Sequence, residues 1–113
     1  MRTINNIYNL LGKSILENAP EKWSEALLYI EVLHDFSSYK GHYVTDKGNQ
    51  DMSVFDFPIE TGDCLRELCE LTSNSSEQKW NKAKFVVTPD KQFDMEFIWD
   101  QHFQDEVDRF NEK

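Results

Sequence analysis

The sequence predicts an α+β domain in which three helices pack against an antiparallel sheet of about five strands. Apolar residues recur at helical spacing in an N-terminal, a middle and a C-terminal segment. Between those segments, apolar residues run continuously or alternate with polar ones, and turn residues separate the runs. The resulting order of helix, three strands, helix, two strands and helix is typical of α+β domains. At 113 residues we expect one domain spanning 1–113.

The N-terminal segment predicts a helix over residues 3–18, with Thr3 as its cap and Pro20 just after its end. Its apolar residues at helical spacing are Ile4, Ile7, Tyr8, Leu11 and Ile15. The next segment, WSEALLYIEVLHDF, predicts a strand with apolar residues on both faces, so we expect partial cover on each side. Glu31 lies in that strand and needs a partner or access to water, because a lone buried carboxylate is costly. We interpret its position as the edge or rim of the sheet.

A meander and a second helix follow. SSYKGHYVT predicts the second strand, DKGN supplies a turn, and MSVFDF predicts a short third strand that Pro58 ends. In TGDCLRELCELT the leucines share one face of a helix and the acidic residues share the other. The middle helix is therefore expected to lie against the sheet.

The last third of the chain, WNKAKFVVTPDKQFDMEFIWD and its continuation, predicts a hairpin and a final helix. Apolar residues alternate with charged ones on both sides of a turn at Pro89 and Asp90, which gives the hairpin one apolar face. The aromatic residues that we expect to be largely buried there are Trp80, Phe85, Phe97 and Trp99. Asp100 is well placed to cap the C-terminal helix.

Acidic charge is the compositional feature that bears most on function. The chain has 21 acidic and 12 basic side chains and a net charge of −9. Residues 51–78 carry seven acids and one base, and residues 90–113 carry eight acids and three bases. Direct binding of nucleic acid or an anionic membrane is disfavoured, because phosphate binding needs positive charge. A basic protein partner would be attracted.

The candidate partner-binding residues are carboxylates in these two acidic segments. Three share the polar face of the middle helix, and two lie two positions apart on one face of the last strand. The full set is Asp56, Asp63, Glu67, Glu70, Asp94 and Glu96. For the helix residues, a solvated helix face is an equally simple interpretation.

Catalytic, metal and cofactor sites have no support in the sequence. Asp94 and Glu96 are close enough for an acid–base pair, but an exposed strand provides no cleft to separate their pKa values. Cys64 and Cys69 point about 140° apart on a helix, and the three histidines lack metal-ligand spacing. We therefore expect no enzyme activity, no cofactor, no metal and no disulfide.

Four stretches of the sequence resemble the YezG-type immunity proteins of bacterial polymorphic toxin systems. They are Trp23 before LLYIEV, the tyrosine pair in YKGHY, the leucine-rich middle helix, and the closing hairpin from Trp80 to Asp100. The resemblance covers nearly the whole chain. It departs at the final turn, where the family commonly has glycine and this chain has Pro89, Asp90, Lys91 and Gln92.

The resemblance implies a small protein that binds and neutralises the toxic C-terminal domain of a cognate secreted or contact-delivered toxin, often a nuclease. The composition also fits a small acidic secretion chaperone or adaptor that holds an effector segment, which stays as the alternative. The chain has neither a run of about 18 apolar residues nor a secretory signal pattern, so we expect a cytoplasmic protein. We expect a monomer whose partner is a basic toxin domain.

Overall fold

A computed structural model describes residues 3–33, 37–53, 57–75 and 80–111. The elements in chain order are the helix α1 (Ile4–Glu17), the strands β1 (Trp23–Val32), β2 (Ser37–Thr45) and β3 (Gly48–Asp51), the helix α2 (Thr61–Ser75), the strands β4 (Lys82–Val87) and β5 (Phe93–Ile98), and the helix α3 (Gln101–Asn111). The five strands form one antiparallel sheet in the order β3-β2-β1-β4-β5. The predicted α+β class is confirmed.

The central strand β1 divides its side chains between the two faces of the sheet. Ala26, Leu28 and Ile30 are fully buried under the helices, whereas Leu27 is half-buried and Tyr29 is 39% exposed on the opposite face. The residues of β2 and β4 that pair with these three lie on the same face, because paired residues in adjacent strands share a face. The face under α1 and α2 is therefore the core, and the opposite face, called the open face below, is only partly covered.

A bulge at the start of β1 brings Trp23 to the core side. The register with β2 shifts between Trp23 and Glu25, and a one-residue shift moves a side chain to the other face of the sheet. The Trp23 ring packs edge-on against Tyr43 at 5.7 Å between centroids. The hydroxyl of Tyr43 donates to the carbonyl of Ile15 at 2.7 Å, which ties β2 to the end of α1.

A capping box begins α1, as the prediction of a Thr3 cap requires. The Thr3 hydroxyl accepts from the backbone N–H of Asn6 at 3.1 Å, and the Asn6 side chain accepts from the Thr3 N–H at the same distance. Ile7, Leu11 and Ile15 then face the core and are fully buried.

Gly12 allows α1 to lie directly on β5. The Phe93 ring fills the place of the missing side chain, since a Cβ at Gly12 would lie 2.2 Å from Phe93 Cζ. The ring also contacts Phe85 at 5.6 Å between centroids. Gly12 is weak for helix propensity, but the packing requires it.

The third strand lies earlier than the sequence predicts. The chain reverses at Asp46 and Lys47, and pairing with β2 resumes at Gly48, whose φ of 106° favours glycine. The ladder therefore reaches Asp51, and Met52 and Ser53 lie beyond the strand. The prediction over residues 52–57 is wrong at those positions, and residues 54–56 lie outside the described part.

Two of the four aromatic residues predicted to be buried are exposed. Trp80 and Phe85 are buried as predicted, but Phe97 is 38% and Trp99 is 45% exposed. The reason is that β5 is an edge strand. Its first residue, Phe93, lies under α1, whereas among the described residues the ring contact at its far end is that of Phe97 with Trp80, at 4.9 Å between centroids. The sequence alternation sets the face correctly but not the extent of the cover.

The turn between β4 and β5 places a lysine in a conformation that favours glycine. Lys91 has a φ of 67°, and its N–H donates to the carbonyl of Thr88 at 2.9 Å. A type I turn closed by one left-handed residue is a common three-residue hairpin connection. Within the turn where this chain departs from the resemblance, Lys91 therefore holds the left-handed position.

Gly12→Ala is expected to lower the free energy of unfolding by about 1 to 3 kcal/mol, because the added Cβ overlaps the Phe93 ring. This loss exceeds the gain of about 1 kcal/mol in helix propensity. Gly62→Ala is the matched control, since its Cβ would meet only Ser37 Oγ at 3.6 Å. Urea denaturation measures both variants; a stability of Gly12→Ala at or above wild type would contradict the packing.

Lys91→Gly is expected to raise the free energy of unfolding by about 0.5 to 1 kcal/mol, because glycine adopts the positive φ without steric cost. Lys91→Ala keeps the Cβ and removes the charge, so it should stay within about 0.5 kcal/mol of wild type. Thermal and urea denaturation of the two variants separate the backbone effect from the charge effect. Equal stabilisation by both substitutions would assign the effect to charge.

Candidate protein-binding surfaces

The α2 cluster consists of Asp63, Glu67 and Glu70, which share one face of the helix because they are spaced by four and three residues. Cys64, Leu65 and Leu68 occupy the opposite face and are fully buried, which fixes the rotation of α2 on the sheet. The cluster lines an open hollow of about 510 Å³ together with Arg66, Cys69 and the end of β1 at Val32 and Leu33. This hollow is wide enough to receive a cationic side chain of a partner.

Arg66 reduces the charge of the α2 cluster. Its guanidinium bonds to the Asp63 carboxylate one turn earlier, at the rim of the same hollow. Glu70 is exposed and Glu67 is half-buried. The cluster is therefore less negative than its three carboxylates suggest.

The β5 cluster consists of Asp94 and Glu96 on the open face of the edge strand. Glu96 is level with Lys84 of β4, and the carboxylate oxygen lies 3.6 Å from the ammonium nitrogen. The Glu96 side chain is 61% exposed, so water screens this pair and it contributes little to stability. Both carboxylates are accessible to a partner.

Asp94 also acts on Tyr8 of α1. Burial raises the pKa of the Tyr8 phenol above its ordinary value, and the negative charge of Asp94 raises this pKa further. The phenol therefore stays neutral at physiological pH, and its ring packs on Phe85 at 5.8 Å between centroids.

The structure does not bring the two clusters together. The α2 helix packs on the core face over β1 and β2, whereas Asp94 and Glu96 lie on the open face of β5, two strands beyond β1. The described candidate carboxylates therefore lie on two separate surfaces. Asp56, the remaining candidate, lies outside the described residues.

Lys82 and Asn81 hold α3 to the sheet, a role that no local sequence pattern indicates. The Lys82 ammonium lies 3.2 Å from Asp100 and 3.7 Å from Glu31, and 4.7 Å from the centroid of the Phe103 ring. The side chain of Asn81 donates to the carbonyl of Asp100 and accepts from its N–H, both at 2.8 Å. The Glu31 carboxylate therefore has a partner in Lys82, the residue opposite it on β4.

Asp100 caps α3 as predicted. Its carboxylate accepts from the N–H of Phe103 at 3.0 Å. This hydrogen bond lowers the pKa of Asp100 below its ordinary value, and the neighbouring Lys82 lowers the pKa further. The cap hydrogen bond and Lys82 therefore both favour the ionised form of Asp100.

Within the described ranges, no three His, Cys, Asp or Glu side chains are grouped so that they could hold a metal ion. Cys64 is buried and Cys69 is half-buried, and they form no disulfide. No helix among the described residues combines the length and the apolar character needed to cross a membrane.

The fold and the surfaces define an acidic α+β protein whose candidate site is a protein-binding surface. No family model matches the chain. Among curated proteins, the chain is similar to the immunity protein YezG of Bacillus subtilis (strain 168), with 24% identity over 119 residues. The alignment covers 93% of this chain and 79% of that protein. It confirms the resemblance to YezG-type immunity proteins that the sequence indicates.

Asp100→Asn is expected to destabilise the protein at neutral pH less than Asp100→Ala does, because asparagine keeps the cap and loses only the charge beside Lys82. A carboxyl with a lowered pKa stabilises the fold above its ordinary pKa, and this contribution is lost as pH falls through the folded pKa. The difference in unfolding free energy between wild type and Asp100→Asn should therefore become smaller as pH falls.

Urea denaturation from about pH 7 to about pH 3 tests this, since the ordinary pKa of an aspartate is about 3.9. Asp105→Asn, which changes an exposed carboxylate of the same helix, is the control and should show no such difference. A difference in unfolding free energy between wild type and Asp100→Asn that stays constant with pH would contradict the role of the charge.

Proposed function

We propose that this chain is an immunity protein that binds the toxic C-terminal domain of a cognate toxin from a polymorphic toxin system and neutralises it. The similarity to a protein named as an immunity protein, over 93% of this chain, carries the proposal and supports an immunity role in general. The fold adds exposed charged surfaces and gives no reason to assign a reaction. In this proposal the chain acts by binding in the cytoplasm of the producing cell, as a monomer without a cofactor.

We infer further that the toxin is basic and acts on nucleic acid. A nuclease needs positive charge to bind phosphates, and a protein with a net charge of −9 is attracted to such a surface from a distance. This long-range attraction raises the rate of association more than it raises affinity. Neutralisation then requires that the bound chain covers the substrate groove or holds the toxin in an inactive form.

The separation of the two clusters allows their roles to be distinguished kinetically. Charges at any place on a small protein contribute to attraction over about 10 Å at about 0.1 M salt and over about 30 Å at about 0.01 M. Only charges inside the interface also affect dissociation, because they are desolvated there. The cluster whose reversal speeds dissociation is therefore the one in contact with the toxin.

The test uses the C-terminal domain of the toxin encoded next to this chain, with its binding followed by stopped flow and its nuclease activity on DNA and RNA. One equivalent of the chain is expected to abolish cleavage. Association should slow about tenfold or more as salt rises from about 20 mM to about 500 mM. Asp94→Lys with Glu96→Lys should slow association and speed dissociation, while unfolding free energies move by about 0.5 kcal/mol or less.

Glu21→Lys with Asp46→Lys is the matched control, since it changes two exposed carboxylates elsewhere and alters net charge equally. It should slow association without changing dissociation. Three results would overturn the proposal: no binding of the toxin domain, binding without inhibition, or binding only of an unfolded segment, as a chaperone would show. Salt-independent association would leave immunity intact but reduce the acidity to a solubility function.

A further inference from the structure

Three consecutive large apolar side chains are exposed at the end of β5. Phe97 is 38%, Ile98 is 40% and Trp99 is 45% exposed, and we call these three residues the aromatic corner. Single exposed apolar residues are ordinary, whereas several large ones at one end of an edge strand are a candidate interaction site. The residues that fill the core at this end of β4, Trp80 and Ala83, are already buried.

The aromatic corner presents apolar surface on both sides of the sheet edge. Phe97 lies on the core face, level with Ala83, and Ile98 lies on the open face, level with Lys82. Both aromatic side chains are held in place: Phe97 packs on Trp80, and the Trp99 indole N–H donates to Gln101 Oε1 at 3.1 Å. Rings that are already ordered lose little entropy on binding, which makes them suitable anchors.

Negative charge surrounds the aromatic corner along the chain. From Asp94 to Asp108 there are six carboxylates and no lysine or arginine. Two lysines of β4 are level with this part of β5, and both have carboxylate partners, Lys82 with Asp100 and Lys84 with Glu96. A partner that covers the corner therefore gains most if it brings its own cationic groups.

A second copy of this chain is a poor match for this surface. Each copy carries a net charge of −9, so pairing corner against corner would bring two acidic stretches together. A basic partner avoids that repulsion. Arginine suits both features, because its guanidinium stacks on aromatic rings and pairs with carboxylates.

We propose that the aromatic corner is the energetic centre of the interface with the toxin domain, with Trp99 and Phe97 as anchors for an arginine- or lysine-bearing surface and Asp94 and Glu96 at its rim. This inference rests on the proposed function and deepens it by placing the contact at the end of β5 and not at the α2 hollow. Interfaces commonly combine such an aromatic centre with a charged rim.

Trp99→Ala and Phe97→Ala test the anchors against the same toxin domain, with affinity measured by calorimetry and dissociation by stopped flow. Each is expected to raise Kd about thirtyfold or more through faster dissociation, with an unchanged salt dependence of association. Tyr29→Ala is the control because Tyr29 is equally exposed, at 39%, but lies on the open face of β1. Its Kd should stay within about threefold of wild type. Thermal melting of each variant reports whether it is folded. If Phe97→Ala unfolds because it loses the contact with Trp80, Trp99→Ala still tests the proposal.

The outcomes separate this inference from the proposed function. If wild type does not bind the toxin domain, the proposed function fails and this inference fails with it. If wild type binds and both anchor variants bind as tightly as wild type, the inference is overturned while immunity stands. Faster dissociation of the double variant Asp63→Lys with Glu67→Lys would then place the contact at the α2 hollow. If wild type self-associates and Trp99→Ala makes it monomeric without changing toxin affinity, a second copy occupies the corner and the inference is also overturned.

Discussion

The packing of α1 and α2 on one face of β1 determines the arrangement of the other elements. Ala26, Leu28 and Ile30 are fully buried on that face, and the residues level with them in β2 and β4 must therefore point the same way. A shift of one residue would bring Tyr29 and Glu31 into the core, so the register is strongly specified. For the same reason, the charged residues of the strands lie on the open face.

The contact between Gly12 and Phe93 sets where the helical layer covers the sheet. Because the ring occupies the space of the missing side chain, α1 lies close to the first residue of β5. At the far end of the strand the Trp80 ring packs on the Phe97 ring, and Phe97 stays 38% exposed. The exposure of Phe97 and Trp99 is thus a consequence of how the core is packed, and partner binding can make use of it.

Local patterns predicted the elements whose signal is local. The limits of β2 agree with the predicted strand SSYKGHYVT, whose end is marked by the turn residues that follow it, and Asp100 caps α3 as its position before the helix indicates. The strand β3 was misplaced because all four of its residues are exposed and polar, so it has no apolar alternation. It forms a strand because its backbone pairs with β2, and a local sequence pattern cannot reveal that pairing.

The candidate site shows the same division between local and distant information. Helical spacing placed Asp63, Glu67 and Glu70 on one face, and strand alternation placed Asp94 with Glu96, both correctly as local sets. Their separation onto different faces depends on strand order, and the exposure of Trp99 depends on the extent of a helix elsewhere. The sequence therefore indicated an acidic partner-binding protein, but the location of an apolar anchor needed the packed fold.

The carboxylates of β5 have two effects that cannot be separated in this fold. An edge strand with exposed apolar residues invites unwanted pairing, and charged side chains on such strands oppose it. Asp94 and Glu96 lie on this edge beside the aromatic corner, so their repulsion of other acidic chains and their attraction of a basic partner come from the same field. Solubility and specificity are then one electrostatic property: the corner can stay exposed because only a partner of opposite charge gains by covering it.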